Sequence, residues 1–158
     1  MTSTVRSTTR RLALAMTIAL FAPLTAGAQE GAKPKEHAMG APSSFQWKPI
    51  GPAISMALLS GSPDTEGSSF VIRLKLADGA KVPPHWHPID EHVTVVSGTF
   101  YMGTGETVDE SAAVAMIAGA YALMPKEVRH FAWASGETVV QIHGVGPFKT
   151  FFVGQPKK

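Results

Sequence analysis

The run from Gly79 to Gly98, GAKVPPHWHPIDEHVTVVSG, constrains this chain more than any other segment. Its fixed positions read G-x5-H-x-H-x3-E-x6-G. Side chains of a strand alternate between faces, so residues two apart share one. His85 and His87 therefore point the same way, about 7 Å apart along a strand. Pro88 donates nothing to a ladder, so Pro88-Ile89-Asp90 is predicted to end that strand and turn the chain. Glu91 then opens the next strand. Two imidazoles and a carboxylate directed at one point are the donor set of a transition-metal site.

The pattern resembles the first metal-binding motif of the cupin superfamily at every fixed position. The second motif of that superfamily is similar to Gly119-x5-Pro125-x-Glu127-x2-His130-x3-Ala134, with two departures. Glu127 stands where the family has a turn glycine, and Ala134 where it has an asparagine. Glu127 leads to the expectation that this turn needs no positive φ. The resemblance implies an all-β fold, a double-stranded β-helix (jelly-roll) barrel. It also implies a three-histidine, one-glutamate ligand set, His85, His87, Glu91 and His130, with about two coordination positions left open. One divalent transition metal is implied, Fe, Mn, Ni, Co, Cu or Zn, and the donor types alone do not choose among them.

The N-terminus stands apart from this domain. Arg6, Arg10 and Arg11 precede an apolar run, Leu12 to Leu24, too short for a stable membrane anchor. Ala26-Gly27-Ala28 follows in an A-x-A arrangement. Residues 1–28 thus read as a secretory signal peptide cleaved before Gln29, and the mature protein is expected in the periplasm or outside the cell. Cleavage lowers Lys+Arg from 14 to 11 against 12 acidic residues, a net charge of −1. The basic precursor therefore carries no argument for nucleic-acid binding. With no cysteine, the mature fold rests on its core and any bound metal, without disulfides. Residues 29–43 are rich in Gly, Ala, Pro and Lys and read as a flexible leader holding His37 as a surface residue. Residues 44–158 form the barrel domain.

Short β-rich segments separated by turn residues fill that domain. Asp109–Ile117 alone favours a helical turn or loop. Taking Ser97-Gly98 as a two-residue hairpin turn places Phe100 and Met102 on the interior face with Glu91, Val93 and Val95. The same treatment of Ser135-Gly136 sets Gln141 opposite His130 and brings His143 to that face. Phe100, Met102, Gln141 and His143 are thus the expected pocket lining, with Gln141 and His143 the candidate catalytic side chains. His143 has the acid/base chemistry for the role. His92 and Trp86 turn outward by parity. Arg73 is read either as a solvent-facing cation or as an anion clamp in the barrel mouth. Phe131, Trp133, Val140 and Ile142 read as an apolar outer stripe that a second subunit would cover, hence an expected homodimer.

These features describe an exported metal-binding cupin with a small-molecule ligand. The open metal positions suggest a dioxygenase acting on an enolic or phenolic substrate. The alternatives are a non-catalytic ligand- or metal-binding module and a metal-dependent isomerase or decarboxylase.

Overall fold

Two long bent strands organise the molecule, and every other strand is placed by pairing with them or with a neighbour. The computed structural model describes residues 39–154. The signal segment 1–28, His37 and most of the leader lie outside the described residues. The elements are β1 (Lys48–Gly51), β2 (Ile54–Gly61), β3 (Ser69–Leu76), β4 (Lys81–Trp86), β5 (Glu91–Thr104), β6 (Val114–Ile117), β7 (Tyr121–Met124), β8 (His130–Val145) and β9 (Phe151–Phe152). Among the described residues the only helical elements are single 3₁₀ turns at Pro42–Ser44 and Glu110–Ala112. None is long and apolar enough to cross a membrane.

β5 and β8 run antiparallel along their whole lengths, from His92↔His143 to Thr104↔His130. The first half of β8 pairs β4 and its second half pairs β3. On its other side β5 pairs β7 early and β6 late. One sheet is therefore β1-β2-β3-β8-β5-β7 and the other β9-β4-β8-β5-β6, with β5 and β8 bending from one into the other. This is the expected all-β double-stranded β-helix.

The two hairpins expected at Ser97-Gly98 and Ser135-Gly136 do not form. Both sites are bends inside a continuous strand, and the β5–β8 register shifts on either side of Ser97. Gly98 has φ 79°, and a Cβ there would lie 2.4 Å from Thr138 Oγ1 and 2.5 Å from the Glu137 carbonyl oxygen. The two bends thus pack directly on each other, and glycine permits the approach.

Side-chain parity follows from these bends. In β5 the shift carries the inward set from Glu91, Val93 and Val95 to Phe100 and Met102, all buried. In β8 parity is kept: His130, Ala132, Ala134, Thr138, Val140 and Ile142 are all buried, and nearly all of them join Phe70, Ile72 and Leu76 in or beside one core. Gln141 and His143 consequently face outward, opposite to expectation. The supposed apolar stripe splits as well. Val140 and Ile142 belong to the interior, and Phe131 is only 1% exposed, packed over Gly103 on the neighbouring strand. Trp133 stacks on Tyr101 at 4.8 Å. The chain buries most of this stripe itself, which removes the reason given for a covering subunit.

Asp109–Ile117 divides into two parts. Asp109 caps the 3₁₀ turn through its carboxylate, which accepts from the Ser111 N–H and hydroxyl. Val114–Ile117 is a strand paired to Met102–Thr99. Arg73 is not in the barrel mouth: its Nε donates to Gln141 Oε1 at 3.2 Å on the outer face. Phe45 and Trp47 lie against Arg73 and Lys75 at 5.0 and 4.8 Å.

Candidate metal centre

Four side chains from three strands and one loop meet inside the barrel. His85 sits on β4, directly across from His130 on β8 and from Phe152 on β9. His87 follows the end of β4, and Glu91 is the first residue of β5. All four are buried, with exposures of 6% for His85, 4% for His87 and Glu91, and 1% for His130. The histidine ring centroids lie 4.2 to 5.4 Å apart. One nitrogen from each ring lies within 4.8 Å of the others, a grouping that can hold a metal ion. Glu91 Oε2 is 3.2 Å from His130 Nε2 and 3.6 Å from His87 Nε2.

The other ring nitrogens settle the protonation pattern. His85 Nδ1 lies 2.8 Å from the Pro83 carbonyl oxygen, His87 Nδ1 2.8 Å from that of Lys149, and His130 Nδ1 3.0 Å from that of Val128. A carbonyl oxygen can only accept, so each Nδ1 carries a hydrogen. In its neutral form each ring then turns the Nε2 lone pair inward. His87 Nε2, His130 Nε2 and Glu91 Oε2 are buried with no hydrogen-bond partner. Buried acceptors facing one another a little over 3 Å apart are unfavourable unless a cation lies among them. The residues present therefore fit a divalent metal, and the backbone carbonyls fix the tautomer that ligation requires.

Electrostatics point the same way. Burial drives the His85 pKa from 6.5 to about 4, helped by His130, and against the pull of its bond to Pro83. Burial likewise lowers His87, against the opposing influence of Glu91 and of the Lys149 carbonyl. Burial pushes Glu91 upward, but His130 and His87 outweigh it and hold the carboxyl below its usual range. Burial thus holds His85 and His87 toward the neutral form, while their surroundings hold Glu91 toward the ionised one.

A pocket of about 440 Å³ opens on one side of this cluster. Its walls include Ile54, Met56, Leu74, Ile142, Phe148 and Phe152. Asp64 and Thr150 are the polar side chains of its lining besides His85, His87 and Glu91. On the closed side a void of about 40 Å³ is bounded by Phe100 and Met102 together with His85, Glu91 and His130. Phe100 and Met102 therefore lie beside the cluster, behind it, and are not in the lining of the open pocket. Gln141 and His143 do not reach it. They pair with Thr94 and His92 on β5 and line a separate outer groove.

The turn between the motifs also differs from expectation. Glu127 has φ 64°, so the position does adopt the left-handed backbone that glycine favours. Its N–H donates to the His87 carbonyl oxygen at 2.8 Å, which ties the second motif to the first. Trp86 faces away from the cluster and stacks on Phe151 at 4.4 Å, as its parity implies.

Sequence reading missed the segment that holds His87. Phe148 stacks on the His87 ring at 4.3 Å, and the next residue supplies the carbonyl to its Nδ1. This segment is pinned to the loop after β2. Phe148 N–H donates to the Pro63 carbonyl oxygen at 2.7 Å, and a Cβ on Gly146 would meet the Thr65 and Pro63 carbonyl oxygens at 2.6 and 2.7 Å. The glycines at 144 and 146 were the signal available for this close approach.

The comparisons agree with this architecture. Among solved structures, KdgF from Halomonas sp. superposes with a TM-score of 0.56 at 19% identity, covering 70% of this chain and 96% of that one. The polyketide cyclase RemF from Streptomyces resistomycificus gives 0.61 at 12% identity, over 77% and 89% of the two chains. The anti-sigma ChrR of Rhodobacter sphaeroides, solved in complex with SigE, gives 0.51 at 21% identity, over 66% of this chain and 50% of that one. These likenesses show the fold. No curated protein matches the chain. The family model described as the ChrR cupin-like domain matches residues 35–149. The chain belongs to this ChrR cupin-like family, within the cupin superfamily.

Proposed function

We propose that this protein is an exported metal-dependent dioxygenase acting on a small enolic or phenolic compound. The observation that carries the reading is the convergence of three Nε2 lone pairs and one carboxylate oxygen at the floor of a largely apolar 440 Å³ pocket. His85, His87, His130 and Glu91 would hold one divalent transition metal. When bound, it supplies Lewis acidity and open positions for oxygen ligands. Phe148, Ile142, Leu74 and Met56 grip the apolar body of the substrate and exclude water from the reacting oxygens. Asp64 is the carboxylate of the pocket lining besides Glu91, and it takes the proton-accepting role that Gln141 and His143 cannot fill from the outer face.

The test is oxygen uptake by the metal-loaded full chain against a panel of catechols and flavonols. Substrate-dependent uptake, lost in His87→Ala and slowed in Asp64→Asn, is the expected result. Tight ligand binding with no uptake under any of the metals would replace this reading with a binding module. One observation favours that second reading: among the described residues, the pocket lining offers few groups for moving protons. The ChrR neighbour, an anti-sigma protein, shows the same fold in a regulator. Export rests on the charged, apolar and small-residue succession over residues 1–28. Mass spectrometry of the protein from its producing cells is expected to find a chain that begins at Gln29.

A further inference from the structure

We propose that His92 and His143 form a second metal site on the outside of the barrel, specific for a borderline divalent ion such as Cu(II), Zn(II) or Ni(II). The two residues are direct cross-strand partners on β5 and β8. Their rings stand face to face, 4.6 Å between centroids and 10° from parallel. Both line an open groove of about 830 Å³ that also takes in Gln141, Lys126 and Asp90.

The surroundings leave nitrogens available there. His92 Nδ1 is held by the Tyr121 hydroxyl at 2.7 Å, which fixes the ring and leaves Nε2 as its other nitrogen. Among the described residues neither His92 Nε2 nor either nitrogen of His143 has a hydrogen-bond partner, and His143 is engaged through its ring face. With the Tyr121 bond kept, His92 Nε2 stays in place, and rotation of the His143 side chain about its Cα–Cβ and Cβ–Cγ bonds brings one of its nitrogens toward the same ion without moving the backbone. Asp90 places a carboxylate on the same groove, anchored by Lys126 N–H, which donates to its Oδ1 at 2.8 Å. Two imidazoles and a nearby carboxylate suit late first-row divalent ions. Because both histidines stand on paired strands, little backbone order remains to be imposed on binding.

This site is separate from the interior cluster. Glu91 points inward and is buried, whereas His92, the next residue on β5, points to the other face and is partly exposed. The two can be emptied independently.

Copper(II) is the most sensitive probe, since it binds nitrogen donors most tightly among these ions. Calorimetric titration of the full chain with Cu²⁺ is expected to show two equivalents. His92→Ala and His143→Ala should each leave one, and His87→Ala should lose the other while keeping the outer equivalent. The nitrogen hyperfine pattern in the paramagnetic resonance spectrum of His87→Ala then comes from the outer pair. Saturation of the wild type at one equivalent that His92→Ala and His143→Ala both keep overturns the proposal. So does survival of both equivalents in the double variant His92→Ala/His143→Ala. A single wild-type equivalent that His87→Ala keeps and the double variant loses would count against the interior site and leave the outer one standing.

Discussion

At the residue scale, the candidate metal centre is built by backbone carbonyls as much as by the four side chains that would hold the ion. Pro83, Val128 and Lys149 fix three Nδ1 hydrogens and so aim three Nε2 lone pairs. The lowered pKa values give this arrangement a pH dependence. His85 titrates near 4 in the folded chain against 6.5 unfolded, so the unfolded state binds the extra proton between those values. Stability from keeping this ring neutral is complete above pH 6.5 and is lost as pH falls toward about 4. His87 acts in the same direction. Denaturant titrations of the metal-free protein are expected to show stability falling through that acidic window; a flat profile there would mean that burial does not hold the rings neutral. The ligand spacing was legible in the sequence because an alternating strand and a short proline turn leave little freedom. The aromatic floor at Phe148 was not, because its contact with His87 depends on a loop whose path no periodicity reports.

Among the elements, the two long strands separate what could be read from what could not. Strand existence followed from β-branched runs and turn residues, and most expected segments coincide with observed ones. Continuity did not follow, since Ser97-Gly98 and Ser135-Gly136 have hairpin composition yet sit at bends. Local sequence cannot distinguish the two, because positive φ at glycine serves both. The distinction decided the function reading, since it turned Gln141 and His143 outward. Gly98→Ala forces a Cβ against Thr138 and the Glu137 carbonyl, and should cost about 1–3 kcal/mol in chemical denaturation. A cost near zero would mean the two bends are not in contact. Glu127 gives the opposite case. It holds left-handed backbone with a side chain, so Glu127→Gly is expected to stabilise the chain by up to about 1 kcal/mol. A clear loss of stability in the same assay would show that the glutamate side chain contributes contacts of its own.

For the whole molecule, one architecture presents chemistry on two sides of the same strands. The interior carries buried acceptors that call for a cation, and the outer face carries an open groove with a histidine pair. A chain without cysteines has its core and any metal it binds for stability. Metal that binds only the folded state raises the melting temperature with concentration, by about 2.7 kcal/mol of stability at a hundredfold excess over Kd. Chelation should therefore lower the melting temperature of wild type by more than that of Glu91→Ala, the difference being the share of the interior site. The central claim is that His85, His87, Glu91 and His130 hold one ion. Anomalous diffraction from crystals of the full chain loaded with a divalent transition metal tests it most directly. The account expects a strong peak inside the barrel, about 2.0–2.3 Å from Nε2 of each of the three histidines and from the Glu91 carboxylate. A loaded crystal with no peak among these four side chains, or with the ion bound through Nδ1, would contradict it.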